Sequence, residues 1–397
     1  MKYSVEDSTM TAIADALRAK TGTKEMLQPP NDYVAEIEKL HSDEWVLPDG
    51  WYDIESLPLT DDELCLYLLY DCTTNIRYAG FWTNYAFVTV SIAKVVDEVL
   101  TDWEEIYSGR DGATFVELPS DCQYAVIRLQ APTSRNFVFV NDSSRGLYST
   151  NNNIRSNQPC LWYYGKIMPA TKQELYANQS GGIGPLMLKR ATLLLNDNVG
   201  LGYGFATKSL LFLNVNVIRV GSISCFISGN QKLNFDIEKI HSSNGSFPTI
   251  SARSIYVHEI ESETGKISLS DAMSRTADLN SVYMASDNIK ITTMQRCFKD
   301  DAGIKDIFFD GFDFSECTSF SETFDACYQL QNLKLGRGIK ENIYLAYSLL
   351  LTKESILDLF ENLEEVESKT ITLGAANTNK LTIEEIAIAT QKGWTVA

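Results

Sequence analysis

The chain has 397 residues, 44% of them apolar and 11% aromatic, which is enough to build packed cores in two or three domains. Against 34 Lys and Arg stand 52 Asp and Glu, for a formal net charge of −18. Phosphate backbones are gripped by Lys and Arg that release counterions, so no nucleic-acid partner is expected. The opening MKYSVEDSTM has no basic region followed by an apolar run, and no window of about 18 uninterrupted apolar residues occurs. Neither a secretory leader nor membrane insertion is expected, and synthesis in the cytoplasm follows.

Residues 1–44 read as a short α-helical module. In TMTAIADALRAKTGT, Ile13 and Leu17 lie four apart and Gly22 stops the helix after Lys20. After the turn at Pro29-Pro30, Asn31 or Asp32 caps a second helix whose stripe is Val34, Ile37 and Leu40. Two such helices bury too little to stand alone, so Ile13, Leu17, Val34, Ile37 and Leu40 are expected to dock on something else.

Residues 45–175 have a different texture. Segments 64–70, 86–93, 124–130 and 137–142 are short strands that alternate or run apolar between polar turns, a pattern expected of an antiparallel β-sandwich. Two aromatic clusters beside amides, with Trp82 and Tyr85 in one and Trp162, Tyr163 and Tyr164 in the other, are candidate platforms for a glycan; core packing is the alternative for both. Acidic residues at Asp97, Glu98, Asp102, Glu104 and Glu105 have no spacing that implies opposed carboxylates and read as a solvated face.

Residues 176–397 carry a degenerate apolar beat. Triplets at 211–213, 233–235, 255–257, 282–284, 307–309 and 333–335 recur every 22 to 27 residues. Met294, Phe298, Ile304, Ile307 and Phe309 return 26 positions later as Phe320, Phe324, Leu330, Leu333 and Leu335. One such unit cannot bury its apolar face alone, so the units are expected to stack into a solenoid, which builds surfaces for recognition. A helix from Thr352 to about Asn362, with Ile356, Leu359, Phe360 and Leu363 at helical spacing, interrupts the beat. At the end, Thr382 and Glu385 form a capping box, Ile383 and Ile386 are expected to face inward, and Lys392-Gly393 closes the helix before Trp394. This element is expected to cap the stack.

Eight cysteines form no CxxC, and His41, His241 and His258 fall near none of them at zinc-ligand spacing. Buried thiols are expected, with no metal and no cofactor. Gly200-x-Gly202-x-Gly204 and Gly181-Gly182-x-Gly184 lack the flanking elements of a nucleotide site, and no catalytic motif stands out. The chain is expected not to be an enzyme.

The segment Ile13, Ala14, Asp15, Ala16, Leu17, Arg18, Lys20, Thr21 and Gly22, with the Pro-Pro turn and the DYVAEIEKL helix, resembles an N-terminal module of tailed-phage tail-fibre and minor tail proteins. Residues 369–397 resemble the closing repeat of BspA-like leucine-rich-repeat domains, although the internal repeats are irregular and lack that family's usual wording. Together with the strand pattern of 45–175, the resemblances imply a mixed multidomain protein: a helical virion-attachment module (1–44), an antiparallel β-sandwich (45–175) and a β/α leucine-rich-repeat-like solenoid with a helical cap (176–397). They imply a phage virion structural protein, a tail fibre or receptor-binding protein located on the virion tail. Its partners would be other tail or baseplate proteins and a host cell-surface glycan or protein. A homo-oligomer, a trimer, is expected because fibres are commonly symmetric. A bacterial surface adhesin, a tail polysaccharide depolymerase and a head-fibre or baseplate component remain open alternatives.

Overall fold

A computed structural model describes residues 52–74, 78–132, 137–138, 160–168, 173–175, 189–196, 199–201, 210–220, 226–227, 233–276 and 278–397. The docking stripe expected at Ile13, Leu17, Val34, Ile37 and Leu40 lies outside the described residues. Tyr52–Ala397 forms one compact unit, mostly β, with a solenoid-like C-terminal stretch.

The first strands are β1 (Leu64–Asp71), β2 (Tyr78–Val96), β3 (Val99–Leu100), β4 (Glu104–Glu117), β5 (Tyr124–Ala131) and β6 (Phe137–Val138). All pair antiparallel. Residues 64–70 of β1 are entirely buried, because its run of LCLYLLY leaves no polar face for water. At the β2–β3 turn, Asp97 and Glu98 both take left-handed backbone (φ 49° and 62°), the geometry that matches the twist of a two-residue hairpin. Their side chains, with those of Asp102, Glu104 and Glu105, are exposed. Strands β1–β6 are hydrogen-bonded into one continuous sheet.

That sheet continues into the repeats through β7 (Cys160–Ile167), which runs antiparallel to β1 on one edge and parallel to the first repeat strand on the other. The chain then alternates long and short strands: β8 (Gln173–Leu175), β9 (Arg190–Leu195), β10 (Val199–Leu201), β11 (Phe212–Val220), β12 (Phe226–Ile227), β13 (Asn234–Ser242), β14 (Thr249–Ile250), β15 (Ser254–Ser262), β16 (Lys266–Ser268), β17 (Ser281–Ala285), β18 (Lys290–Thr293), β19 (Asp306–Asp310) and β20 (Asn332–Lys334). β9, β11, β13, β15, β17, β19 and β20 extend the large sheet in parallel, while β8 with β10, β12 with β14 and β16 with β18 form short parallel pairs.

One inward column runs through Tyr163, Ala191, Leu213, Phe235, Ile255, Val282, Ile307 and Leu333, each residue paired with the next and none more than 2% exposed. The ladder corrects the register of the first two triplets. Phe235 pairs with Ile255, so the rungs that match 255–257 are 235–237 and 213–215, each displaced by two residues from the expected triplets at 233–235 and 211–213. The 26-residue alignment of the last rungs holds, with Met294, Phe298, Ile304, Phe320, Phe324 and Leu330 all buried.

Turns in the later rungs stack as regularly as the strands. The amides of Asp271, Met273 and Arg275 donate to the carbonyls of Gln295, Cys297 and Lys299, and those of Arg296, Phe298 and Asp300 donate to Ser321, Thr323 and Asp325. Left-handed backbone recurs in step at Asp271, Arg296 and Glu322, and again at Arg275, Asp300 and Ala326. Each non-glycine residue held there costs about 1–2 kcal/mol, which the amide bonds to the next rung offset. Behind these turns an inward column places Ser251, Thr276, Asp301 and Cys327 in successive rungs, and Asp301 Oδ1 accepts the Thr276 amide at 2.6 Å.

The last strands, β21 (Ile343–Tyr344), β22 (Lys369–Thr372) and β23 (Trp394–Val396), form a parallel three-stranded sheet. Three helices accompany them: α1 (Lys353–Glu361), α2 (Ala375–Thr378) and α3 (Ile383–Thr390). Thr352 caps α1, and Ile356, Leu359, Phe360 and Leu363 are buried as their spacing requires. The Thr382–Glu385 capping box closes on both sides, at 3.3 and 2.7 Å. Of the two residues expected to face inward on α3, Ile386 is half-buried but Ile383 is 83% exposed, and the helix packs instead through Ala389 and Ile388. What fastens the end of the chain is Lys392, whose Nζ donates to the carbonyls of Phe360, Glu361 and Leu363 at 3.2, 2.7 and 2.8 Å, while Trp394 Nε1 donates to Glu364 O at 2.8 Å.

Seven cysteines fall in the described residues; all are free thiols, six of them buried and Cys122 half-buried.

Candidate functional site: an exposed tyrosine groove

Trp162 and Tyr163 are 2% and 1% exposed, so neither offers a face to a glycan. Adjacent residues of a strand point to opposite faces, so both faces of β7 are covered here, and the Arg190 guanidinium sits 5.0 Å from the Trp162 ring. Arg190 is in turn fixed by a two-pronged pair with Glu55 at 2.9 and 3.1 Å. Tyr164 is half-buried, stacked on Tyr67 at 6.2 Å. Trp82 lies in β2, its backbone paired with Ala113 and Val138, and Tyr85 falls where the β2–β4 register shifts; their side chains lie outside the described residues.

Exposed aromatic surface gathers instead near the C-terminal end of the solenoid. Tyr328, Tyr344 and Tyr347 are 51%, 42% and 43% exposed. The Tyr347 ring is central: Tyr344 lies 5.5 Å from it at 58°, and Tyr328 lies 6.1 Å away, edge-on at 80°. Strand parity explains the outward aim of Tyr344. Ile343 enters the core, so the next residue must face out, and pairing of Tyr344 with Thr372 together with the Leu345 amide on Thr372 O (2.7 Å) fixes that frame.

Tyr344 and Tyr347 line an open groove of about 610 Å³. Its opposite wall is the turn 318–325, which contributes Ser319, Ser321, Glu322 and Asp325, while Glu341, Asn342, Thr370 and Thr372 complete it. Two of the three acids are neutralised locally. Glu322 pairs with Lys299, which holds its carboxyl below the usual range, and Glu341 pairs with Lys369 at 2.6 Å. Burial, then the nearby Glu322 charge, pushes the Asp325 carboxyl up. The groove therefore presents hydroxyls, amide and carboxylate acceptors around two tyrosine faces, with an acidic balance.

The sequence reasoning missed these tyrosines because NIYLAYSLL reads as a buried apolar run. Parity within β21 was the usable signal for Tyr344, whereas Tyr328 and Tyr347 lie in turns where no periodicity marks them. A second, smaller hollow of about 350 Å³ lies on the outer face of β9, β11, β13 and β15, where His258 Nε2 meets Asp236 at 2.7 Å. That hydrogen bond raises the imidazole above its ordinary value. No helix among the described residues is long and apolar enough to cross a membrane.

Comparisons with protein-family models, with curated proteins and with solved structures gave no match to this chain.

Proposed function

We propose that this chain is a non-enzymatic structural protein of a tailed-phage virion, a tail fibre or receptor-binding protein that attaches through residues 1–44 and recognises the host surface with its C-terminal repeats. The observation that carries the recognition half is the tyrosine groove, a set of ordered aromatic faces left in solvent on a rigid stack of rungs. The resemblances at the two ends of the sequence carry the virion half. In this reading the antiparallel region is a spacer, the repeats are a divergent leucine-rich-repeat-like solenoid, and α3 with β23 is its terminal cap. The tail, with other virion proteins and a homo-oligomer as its setting, is the expected location.

Immunogold labelling of intact particles with antibody to this protein tests the reading. Gold at the tail tip or fibres is expected; gold absent from particles overturns it. The depolymerase reading has one observation in its favour, since Glu322 and Asp325 share the groove and their surroundings push their carboxyls in opposite directions. Released oligosaccharide after incubation with capsule would decide for it.

A further inference from the structure

We infer that the groove between the 318–325 turn and β21–β22 is a binding site for a neutral glycan chain. The inference rests on the recognition reading only for its biological setting, because it concerns what the groove can hold.

Three features of the groove select the ligand. Pyranose rings have apolar C–H faces that seat on flat aromatic rings, and Tyr344 and Tyr347 supply two tilted faces 5.5 Å apart between ring centres. Tyr328 braces Tyr347 edge-on, so the platform is ordered before anything binds. Sugar hydroxyls then need partners in the wall, and the side chains of Ser319, Ser321, Asn342 and Thr370 line it together with the carboxylates.

Charge removes the main competing polymers. The groove holds Glu322, Asp325 and Glu341, and the two lysines beside it are already paired with Glu322 and Glu341. A teichoic phosphate, uronate or sialylated chain would meet a net negative wall on a chain whose formal charge is −18. A neutral chain meets no such penalty. A protein partner would be expected to bury a continuous apolar core, whereas the groove wall facing the tyrosines is made of hydroxyls and acids.

The test uses the full chain and purified polymers as probes: neutral oligosaccharides of glucose, mannose, galactose and N-acetylglucosamine, against polygalacturonate and poly(glycerol phosphate), by titration calorimetry. Saturable binding of at least one neutral series is expected, with weak dependence on salt. Tyr347→Ala and Tyr344→Ala should each weaken it by roughly tenfold or more. Phe87→Ala, an exposed aromatic in the distant β2, should leave it unchanged. Circular dichroism and the urea midpoint confirm that each variant is folded. Failure of every neutral series, equal binding of the anionic polymers, or binding that survives the Tyr344→Ala/Tyr347→Ala double variant overturns the inference. Capture of a host protein lost in the same variants, with no glycan bound, also overturns it. Failure here with gold on the tail leaves the virion reading standing, and glycan binding with unlabelled particles does the reverse.

Discussion

Phe324 lies nearly parallel to Phe298 of the preceding rung, with ring centres 6.1 Å apart and planes 14° from each other. Phe298 also touches Phe309 at 6.2 Å, and Phe309 touches Phe312 and Phe314 at 5.4 and 6.4 Å, so one aromatic column ties neighbouring rungs together. Removing a ring from this column leaves a cavity that the stacked backbone cannot close. Phe324→Ala should cost about 3–5 kcal/mol. Glu322→Ala, two residues away on the surface, should move the urea midpoint far less. Equal midpoints for Phe324→Ala and the parent would break the 26-residue alignment of these rungs.

Asp301 gives the fold a pH dependence of unusual sign. Its side chain is fully buried and Oδ2 has no hydrogen-bond partner, so burial pushes its carboxyl up to about 9 from an ordinary 3.8. Between those values the folded chain holds a proton that the unfolded chain has released. This group's contribution to stability is therefore greatest below about pH 4 and falls as pH rises, by at most about 1.4 kcal/mol per pH unit, until about pH 9. Asp301→Asn keeps an acceptor for the Thr276 amide and carries no charge. The variant should gain on the parent steadily from pH 4.5 to 9 in urea titrations; parallel curves for the two would remove Asp301 as the source.

Lys392 replaces a helix cap by reaching across from the end of the chain to three carbonyls at the C-terminal end of α1. Lys392→Met keeps the apolar stem and removes the donors, and should cost about 1–3 kcal/mol in thermal or urea unfolding. Gly393 beside it has φ +84°, and a Cβ there would drive into the Val366 carbonyl oxygen. Gly393→Ala should destabilise the same end by about 1–3 kcal/mol. Insensitivity of both positions would mean that β23 is not anchored as described.

Deletion of residues 1–44 should leave the unfolding transition of the remaining chain unchanged and abolish incorporation into particles. Normal stoichiometry of the shortened chain on purified particles would count against docking through Ile13, Leu17, Val34, Ile37 and Leu40. Light scattering of the full and shortened chains, expected to show an oligomer, reports at the same time whether residues 1–44 carry that contact.

The repeat architecture was legible because alternate apolar residues recur on one face, but its frame was not legible everywhere. Around β11 the inward pattern continues through Leu211, Leu213, Val215 and Val217, so two frames displaced by two residues look equally apolar. Only the partner strand decides between them, and it selects Leu213. In 298–324 bulky phenylalanines break that degeneracy, and the alignment read there was correct. The groove was hidden for a related reason. Tyr344 and Tyr347 sit in an apolar stretch whose inside and outside are fixed only once β21 pairs with β22. Trp162, Tyr163 and Tyr164 looked like a platform because the sequence does not show that both faces of β7 are covered.

The two-sided pairing of β7 gives the repeat array a direction of growth. Its antiparallel edge is occupied by β1 and its parallel edge sets strand polarity for every rung that follows. The first rung is thus laid against a strand whose other edge is already paired with β1. Gain or loss of rungs by duplication or deletion within 190–285 would lengthen or shorten the repeat array while leaving β1–β7 and the groove residues from Thr318 onward untouched, so reach and recognition are free to vary separately.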